Sequence, residues 1–262
     1  MKIRSIHIYP IKGLGAISLQ STKVLERGLQ YDRRWMLVDE AGEFITQRTN
    51  SKLALFNCEL GSQLKVIYKD KSLFIDIDTI TDNRIQTTVW DNQVDAYEVD
   101  EKVSIWFSEI LGMKCRLVKM VDAHNIYKKL IKGPDQTKVS FADGYPYLIL
   151  GTASVDHLSD KVGRDIPADR FRANIIIETT EPHIEDTWDE LQIGTSKFLV
   201  IKPCARCNVV NIDQSTGEVN KEPLKSLSAY RLDGNVVNFG ACTICLSEGV
   251  ISVDDDVVVI NK

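Results

Sequence analysis

The sequence predicts a β-rich protein of mixed α/β class, built as two units with a few helices packed on them. Short runs of alternating apolar and polar residues recur along the chain with turn residues between them, the period of half-buried strands. Helical spacing is confined to a few segments, and a polar stretch from Val121 to Ala142 interrupts the pattern near the middle. The expected units are residues 1–120 and 121–262.

In order along the chain, Ile6-His7-Ile8, Leu64-Lys65-Val66-Ile67-Tyr68 and Ile85-Gln86-Thr87-Thr88-Val89 read as strands. Asp39-Glu40-Ala41-Gly42, Lys69-Asp70-Lys71 and Asp91-Asn92-Gln93 have hairpin composition, so the first unit is expected to be an antiparallel sheet or barrel. A helix is predicted after Asp100, a good N-cap, with Val103, Trp106, Phe107, Ile110 and Leu111 on one face and Gly112 as the stop. Val121–Ala142 reads as an irregular loop over a site. A strand at Tyr147–Leu150 leads into a second helix carrying Val155, Leu158 and Val162, ended by Gly163. Phe171–Glu178, Leu191–Ile193, Phe198–Ile201 and Asn208–Asp213 read as strands, and Glu222-Pro223 opens a short helix with Pro in its first turn. Val236–Phe239 and Val257–Ile260 are the last strands.

A net charge of -5 and the lack of a long Lys/Arg run argue against nucleic acid. Apolar runs such as Tyr147–Leu150 and Val257–Ile260 fall far short of the roughly 20 residues of a membrane helix. The amino terminus reads as a strand from Lys2 rather than an export signal, so a cytoplasmic location is expected and the six cysteines should be reduced thiols.

Cys204-Ala205-Arg206-Cys207 follows a strand, and an arginine beside Cys207 is expected to favour the thiolate that ligates soft metals or attacks electrophiles. Buried packing is the competing reading of such a pair. Cys242-Thr243-Ile244-Cys245 lies 34 residues further on, positions 208 to 241 intervening, and a structural Cys₄ zinc site is therefore an alternative. Zinc knuckles usually leave about 15 to 20 residues, which favours core packing of Cys242 and Cys245.

Lys12, Arg33 and Arg34, and Arg170 and Arg172 stand near turns, where converging cations would anchor a phosphorylated ligand. Taken singly, each is a solvated surface charge. Asp143 precedes a buried strand and suits an acid, a base or a hydrogen-bond acceptor near a metal, or plain Asp-Gly turn chemistry. His7, His124, His157 and His183 show no ligand spacing, and no nucleophile elbow, P-loop or dinucleotide fingerprint occurs.

Taken together, Tyr9-Pro10-Ile11-Lys12, Tyr31-Asp32-Arg33-Arg34-Trp35, Phe141-Ala142-Asp143, Arg170-Phe171-Arg172-Ala173-Asn174, Glu185-Asp186-Thr187-Trp188, Pro203-Cys204-Ala205-Arg206-Cys207 and Lys221-Glu222-Pro223-Leu224 resemble the MOSC-domain proteins with an amino-terminal MOSC β-barrel. That group contains YcbX-like proteins and the mitochondrial amidoxime reducing component. The resemblance spans nearly the whole chain and departs from the family pattern at Gly13, Gly144-Tyr145, Ala173 and the Cys242/Cys245 pair.

The resemblance implies a β-barrel-like first domain, a MOSC β-barrel second domain and a molybdenum cofactor of the molybdopterin type. Cys207 would ligate molybdenum, Cys204 would be structural, Lys12, Arg33, Arg172, Asn174 and Arg206 would hold the pterin and its phosphate, and Asp143 would lie near the metal as a catalytic residue. It further implies reduction of N-hydroxylated compounds such as hydroxylamines, amidoximes and N-hydroxylated bases, with the released oxygen leaving as water. A detoxifying role and an association with pyridoxal phosphate go with the same resemblance, as does the alternative of a MOSC sulfur carrier that reduces nothing. With the chain ending at Lys262, a separate flavoprotein reductase or ferredoxin-like protein is expected to supply electrons.

Overall fold

The structure, a computed structural model, describes residues 1–90, 92–121 and 125–260. Asp91 of the third predicted hairpin connection, and His124 with the rest of 122–124 in the predicted loop, lie outside the described residues.

The fold is β-rich, as the alternation predicts. Its largest sheet has nine strands, in the order Ile17–Leu19, Ile3–Ile8, Ile175–Ile177, Tyr147–Gly151, Val236–Ser247, Ser196–Arg206, Glu190–Ile193 and Val257–Ile260, with Leu232–Asp233 beside Val236–Ser247. Strands from the first twenty residues thus complete a sheet made by residues beyond 146. Tyr147–Gly151 and Ile175–Ile177 run parallel, and the helix α1, Glu101–Leu111, is not their link; the helix α2, Thr152–Val162, crosses between them, as parallel neighbours require. All three residues of Ile175–Ile177 are buried, which suits a strand covered on both faces.

Smaller sheets flank this one. Trp35–Val38, Arg116–Lys119, Asn92–Glu98 and Arg84–Val89 form an antiparallel four-stranded sheet, and Phe56–Leu60, Gln63–Tyr68 and Lys71–Asp76 form a meander. The tight Lys69-Asp70 connection of the meander places Lys69 at φ 53°, the left-handed twist a two-residue hairpin turn favours. Helix α1 begins where the sequence places it: the Asp100 carboxylate accepts from the N–H groups of Lys102 and Val103, and Gly112 ends it at φ 70°. Its apolar face puts Phe107 against Phe56, ring centroids 5.6 Å apart. The main core joins Ile6, Ile8, Trp35, Phe107, Ile149 and Ile175, each contributing about 1.5–3 kcal/mol by burial. Among the described residues no helix is long and apolar enough to cross a membrane.

Several elements differ from expectation. The predicted loop Val121–Ala142 contains a hairpin, Ile126–Lys129 paired with Gln136–Val139. Ile126, Thr137 and Val139 point inward, half-buried Lys128 shares their face with its Nζ 5.1 Å from the Tyr145 ring, and Lys129 and Lys138 lie on the opposite face. Phe171–Glu178 is a strand only at Ile175–Ile177, because Ala168–Phe171 makes a 3₁₀ turn closed by the Arg172 N–H on the Asp169 carbonyl. Asn208–Asn211 is likewise a 3₁₀ turn. Ser196–Arg206 and Val236–Ser247 run longer than predicted and carry Cys204 on one and Cys242 with Cys245 on the other, and Gly249–Ser252 adds a strand paired with Ser21–Leu25. Pro223 stands just before helix α3, Leu224–Arg231, rather than inside its first turn.

Candidate functional site

One cleft of about 280 Å³ lies where the large sheet meets the turns after Tyr9, Tyr31 and Ala142. Its wall holds Lys12, Arg33, Asp143, Arg172, Asn174, Arg206 and Cys207 of the residues singled out from the sequence, whereas Arg34 lines a different pocket and buried Arg170 pairs with Asp213 at 2.6 Å. Of the described residues of Val121–Ala142, only Ala142 lines it.

At one end, Tyr9 leaves the strand Ile3–Ile8 and donates its N–H to the Asp32 carboxylate at 2.7 Å, and Arg33 returns its N–H to the Tyr9 carbonyl at 2.9 Å. Arg33 and Arg172 both adopt left-handed backbone, φ 52° and 54°, at about 1–3 kcal/mol each. Both guanidiniums approach the Tyr9 ring, at 4.6 and 4.2 Å. Arg33 is fully engaged: it pairs with buried Asp32 and donates to Asn174 Oδ1 at 3.3 Å and to the Arg172 carbonyl at 3.1 Å. Burial opposes the charge on Arg33, yet Asp32 raises its pKa. Arg172 takes part in no ion pair among the described residues, and burial lowers it to about 10, still a cation at neutral pH. Asn174 is buried, its oxygen accepting the Leu148 N–H at 3.2 Å and its amide donating to the His7 carbonyl at 3.1 Å.

In the middle of the cleft Asp143 holds three donors. Buried Lys12 bonds one carboxylate oxygen and the Phe141 carbonyl, the latter at 2.7 Å; the Trp90 indole N–H reaches that same carboxylate oxygen at 3.2 Å; and Arg48 donates to the other oxygen at 3.3 Å. Desolvation works to raise Asp143, but Lys12 and Arg48 outweigh it and hold the group well below the usual carboxylate range. Burial pulls Lys12 down, and Asp143 opposes the fall. Asp143 is therefore an acceptor that orients cations at neutral pH, rather than a proton donor.

Cys204 and Cys207 make up the sulfur end. Cys207 is exposed, just past the strand Ser196–Arg206, and its Sγ lies 3.9 Å from Arg48 Nη1. The arginine expected beside its thiolate, Arg206, turns elsewhere: Nη1 is 3.2 Å from Cys204 Sγ and Nη2 donates to the Phe171 carbonyl at 2.8 Å. Residues two apart on a strand share a face, so Arg206 meets Cys204. Cys204 thus carries the guanidinium that Cys207 was expected to have. The neighbouring Cys242 thiol, together with Arg206 and Lys202, outweighs burial and brings Cys204 down to about 6, while Cys242 is pushed well above its ordinary value.

The Cys₄ zinc arrangement does not form. Cys242 and Cys245 are three apart on one strand and so face opposite ways, Cys242 toward the cleft and Cys245 against the main core. Among the described residues no group of three or more His, Cys, Asp or Glu side chains is placed to hold a metal.

Sequence reasoning missed Arg48, Trp90 and the cleft-facing role of Cys242. Arg48 lies in an irregular stretch after Ile45, where no period marks a face, and Trp90 sits at φ 55° at a strand end. The even spacing of Arg206 from Cys204 was the one readable signal for their contact.

Residues 1–114 match the family described as MOSC N-terminal beta barrel domain, and residues 136–258 match the MOSC domain. A protein named molybdenum cofactor sulfurase from Oryza sativa subsp. japonica is 30% identical over 261 residues, covering 91% of this chain and 32% of that protein. The human protein of the same name is 32% identical, covering 91% of this chain and 29% of its own length. The chain thus spans about a third of these relatives. Mouse mitochondrial amidoxime-reducing component 1 is 29% identical over 282 residues, covering 99% of this chain and 82% of that protein.

Proposed function

This chain belongs to the MOSC-domain proteins that carry the N-terminal MOSC β-barrel, and from that premise we propose that it binds a molybdenum–pterin cofactor through Cys207 and reduces N-hydroxylated compounds. One observation carries the reading: a chain of net charge -5 gathers Lys12, Arg33, Arg48, Arg172 and Arg206 around a cleft lined by one carboxylate, Asp143, with an exposed thiol at its edge.

The residues fit such a group. Thiolate is the soft ligand that molybdenum chemistry calls for. Arg172 lacks a carboxylate partner, and Arg206 Nε is buried with no hydrogen-bond acceptor, a donor that a phosphate or pterin heteroatom would satisfy. Cys207 would hold the metal, Arg172 and Arg206 the pterin and its phosphate together with Lys12, while Arg33 and Asn174, tied to protein partners, would position that wall of the site. When bound, the cofactor would supply two-electron oxygen-atom chemistry. The chain's part is positioning: Asp143 fixes Lys12, Arg48 and the Trp90 indole, and Arg48 presents a guanidinium to the Cys207 sulfur. Electrons would come from a separate flavoprotein or ferredoxin-like partner in the cytoplasm.

Protein made in a molybdenum-replete host should carry close to one molybdenum per chain with pterin, and Cys207→Ser should lose the metal; absence of both metal and pterin from the parent overturns the reading. The sulfurase relatives favour a second reading, a cofactor-binding module without reductase activity. Turnover separates the two: loaded protein given an artificial reductant should consume benzamidoxime only if it is a reductase.

A further inference from the structure

Cys204 and Cys242 have no part in that reading, yet both line the cleft and each shifts the charge of the other. They sit on neighbouring antiparallel strands, Ser196–Arg206 and Val236–Ser247, where Lys202 lies opposite Cys242 and the ladder shifts register between Pro203 and Ala205. Residues 202 and 204 share a face, so Cys204 and Cys242 are diagonal neighbours on one face of the ladder, close enough for each thiol to shift the charge of the other. Both line the cleft and both are free thiols. Arg206 Nη1 stands 3.2 Å from Cys204 Sγ.

We infer that Cys204 and Cys242 form a peroxide-sensitive dithiol, with Cys204 as the attacking sulfur and Cys242 as the resolving one, closing to a reversible disulfide across the floor of the cleft. The roles follow from their surroundings. Cys204 faces a guanidinium and lines the cleft, whereas Cys242 is the buried member of the pair. The same contacts bring Cys204 down to about 6, making it the thiolate of the pair at neutral pH.

The chemistry balances with a hydroperoxide as oxidant. The Cys204 thiolate attacks one oxygen of hydrogen peroxide, the O–O bond breaks, and the departing hydroxide takes a proton to leave as water, giving a sulfenic acid. The Cys242 sulfur then attacks the Cys204 sulfur; the S–S bond forms, the S–O bond breaks, and the hydroxyl leaves with the Cys242 proton as a second water. Two electrons pass from the two thiols to the peroxide. An external dithiol reverses the reaction by exchange. Closure removes the thiolate that faces Arg206, leaving that guanidinium as an additional unmatched charge in the cleft.

Intact-mass analysis after stoichiometric hydrogen peroxide tests this independently of any bound metal. The parent protein and Cys207→Ser should each lose the mass of two hydrogens and regain it with dithiothreitol, and peptide mapping should join Cys204 to Cys242. Cys242→Ser, with Cys242→Ala as a second variant should the first fail to fold, should stop at a sulfenic acid on Cys204 that dimedone labels. Cys204→Ser should react about tenfold or more slowly, since only the thiolate is a competent nucleophile. A Cys204–Cys207 link, dimedone on Cys207 with Cys204 unmodified, or no loss of hydrogen would overturn the inference, and none of these results bears on whether Cys207 binds molybdenum.

Discussion

The two ends of the cleft treat positive charge in opposite ways. At the Tyr9 end, two arginines approach one ring, but Arg33 is matched by buried Asp32 and further tied to Asn174 and the Arg172 carbonyl, while Arg172 has only the ring for a partner. At the sulfur end, each arginine faces a thiol: Arg206 meets Cys204, and Arg48 divides itself between Asp143 and Cys207. The difference teaches that counting cations does not identify a ligand site. What distinguishes structural from available charge is whether removing the cation would strand an anion.

Arg33→Ala tests the structural side and should have the largest effect. It leaves the fully buried Asp32 with an uncompensated charge, so unfolding should become easier by about 3–5 kcal/mol in chemical denaturation. Arg172→Ala should do the reverse. Stability should hold or rise, because the variant removes a desolvated charge that repels Arg33, while affinity for inorganic pyrophosphate should fall about ten- to a hundredfold, the worth of one or two charge-assisted hydrogen bonds. Equal destabilisation by the two substitutions would erase the distinction between the arginines.

A pH series sharpens the sulfur end. Cys204 is depressed to about 6 in the folded protein, against roughly 8.5 for an unfolded thiol. Its contribution to stability is therefore complete above the unfolded value and lost as pH falls through the folded one. Cys242, shifted upward, makes the opposite contribution, lost as pH climbs past the ordinary thiol value. Denaturation of the parent against Cys204→Ser should show a gap that opens between pH 6 and 8.5; a gap independent of pH would mean that Arg206 and Cys242 do not stabilise a thiolate there. The smallest effect is expected from Trp90→Ala. Its half-exposed ring stacks on Arg48 at 4.7 Å, so stability should fall by about 0.5–1 kcal/mol, with Arg48 freed to shift relative to Cys207.

Legibility in the sequence followed periodicity. Helix α1 could be placed to the residue because Asp100 and Gly112 carry their capping chemistry in the side chain or in its absence. The β-rich class was equally plain, since each short strand with one dry face announces itself by alternation. The hairpin at Ile126–Lys129 was hidden because Lys128, at an inward position, breaks the apolar alternation beside Lys129 and makes the strand imitate a loop. The seven cleft residues named from the sequence came from family resemblance, for no local rule brings Lys12 to Asp143 across 131 positions. Which arginine serves which cysteine was missed because it depends on where the strand Ser196–Arg206 stops. Arg48 was missed because it belongs to no periodic element at all.

The interleaving of Ile3–Ile8 with Ile175–Ile177 in one sheet has a consequence for how the protein comes into being. A ribosome that has made the first half of the chain has released Lys12, Arg33 and Arg48, but the strand Ile175–Ile177 on the inner side of Ile3–Ile8 and the loops bearing Arg172 and Cys207 do not yet exist. Contacts of such long sequence separation raise the contact order and slow folding. The cleft is accordingly a late product of synthesis, and whatever it holds can be loaded only into a finished chain.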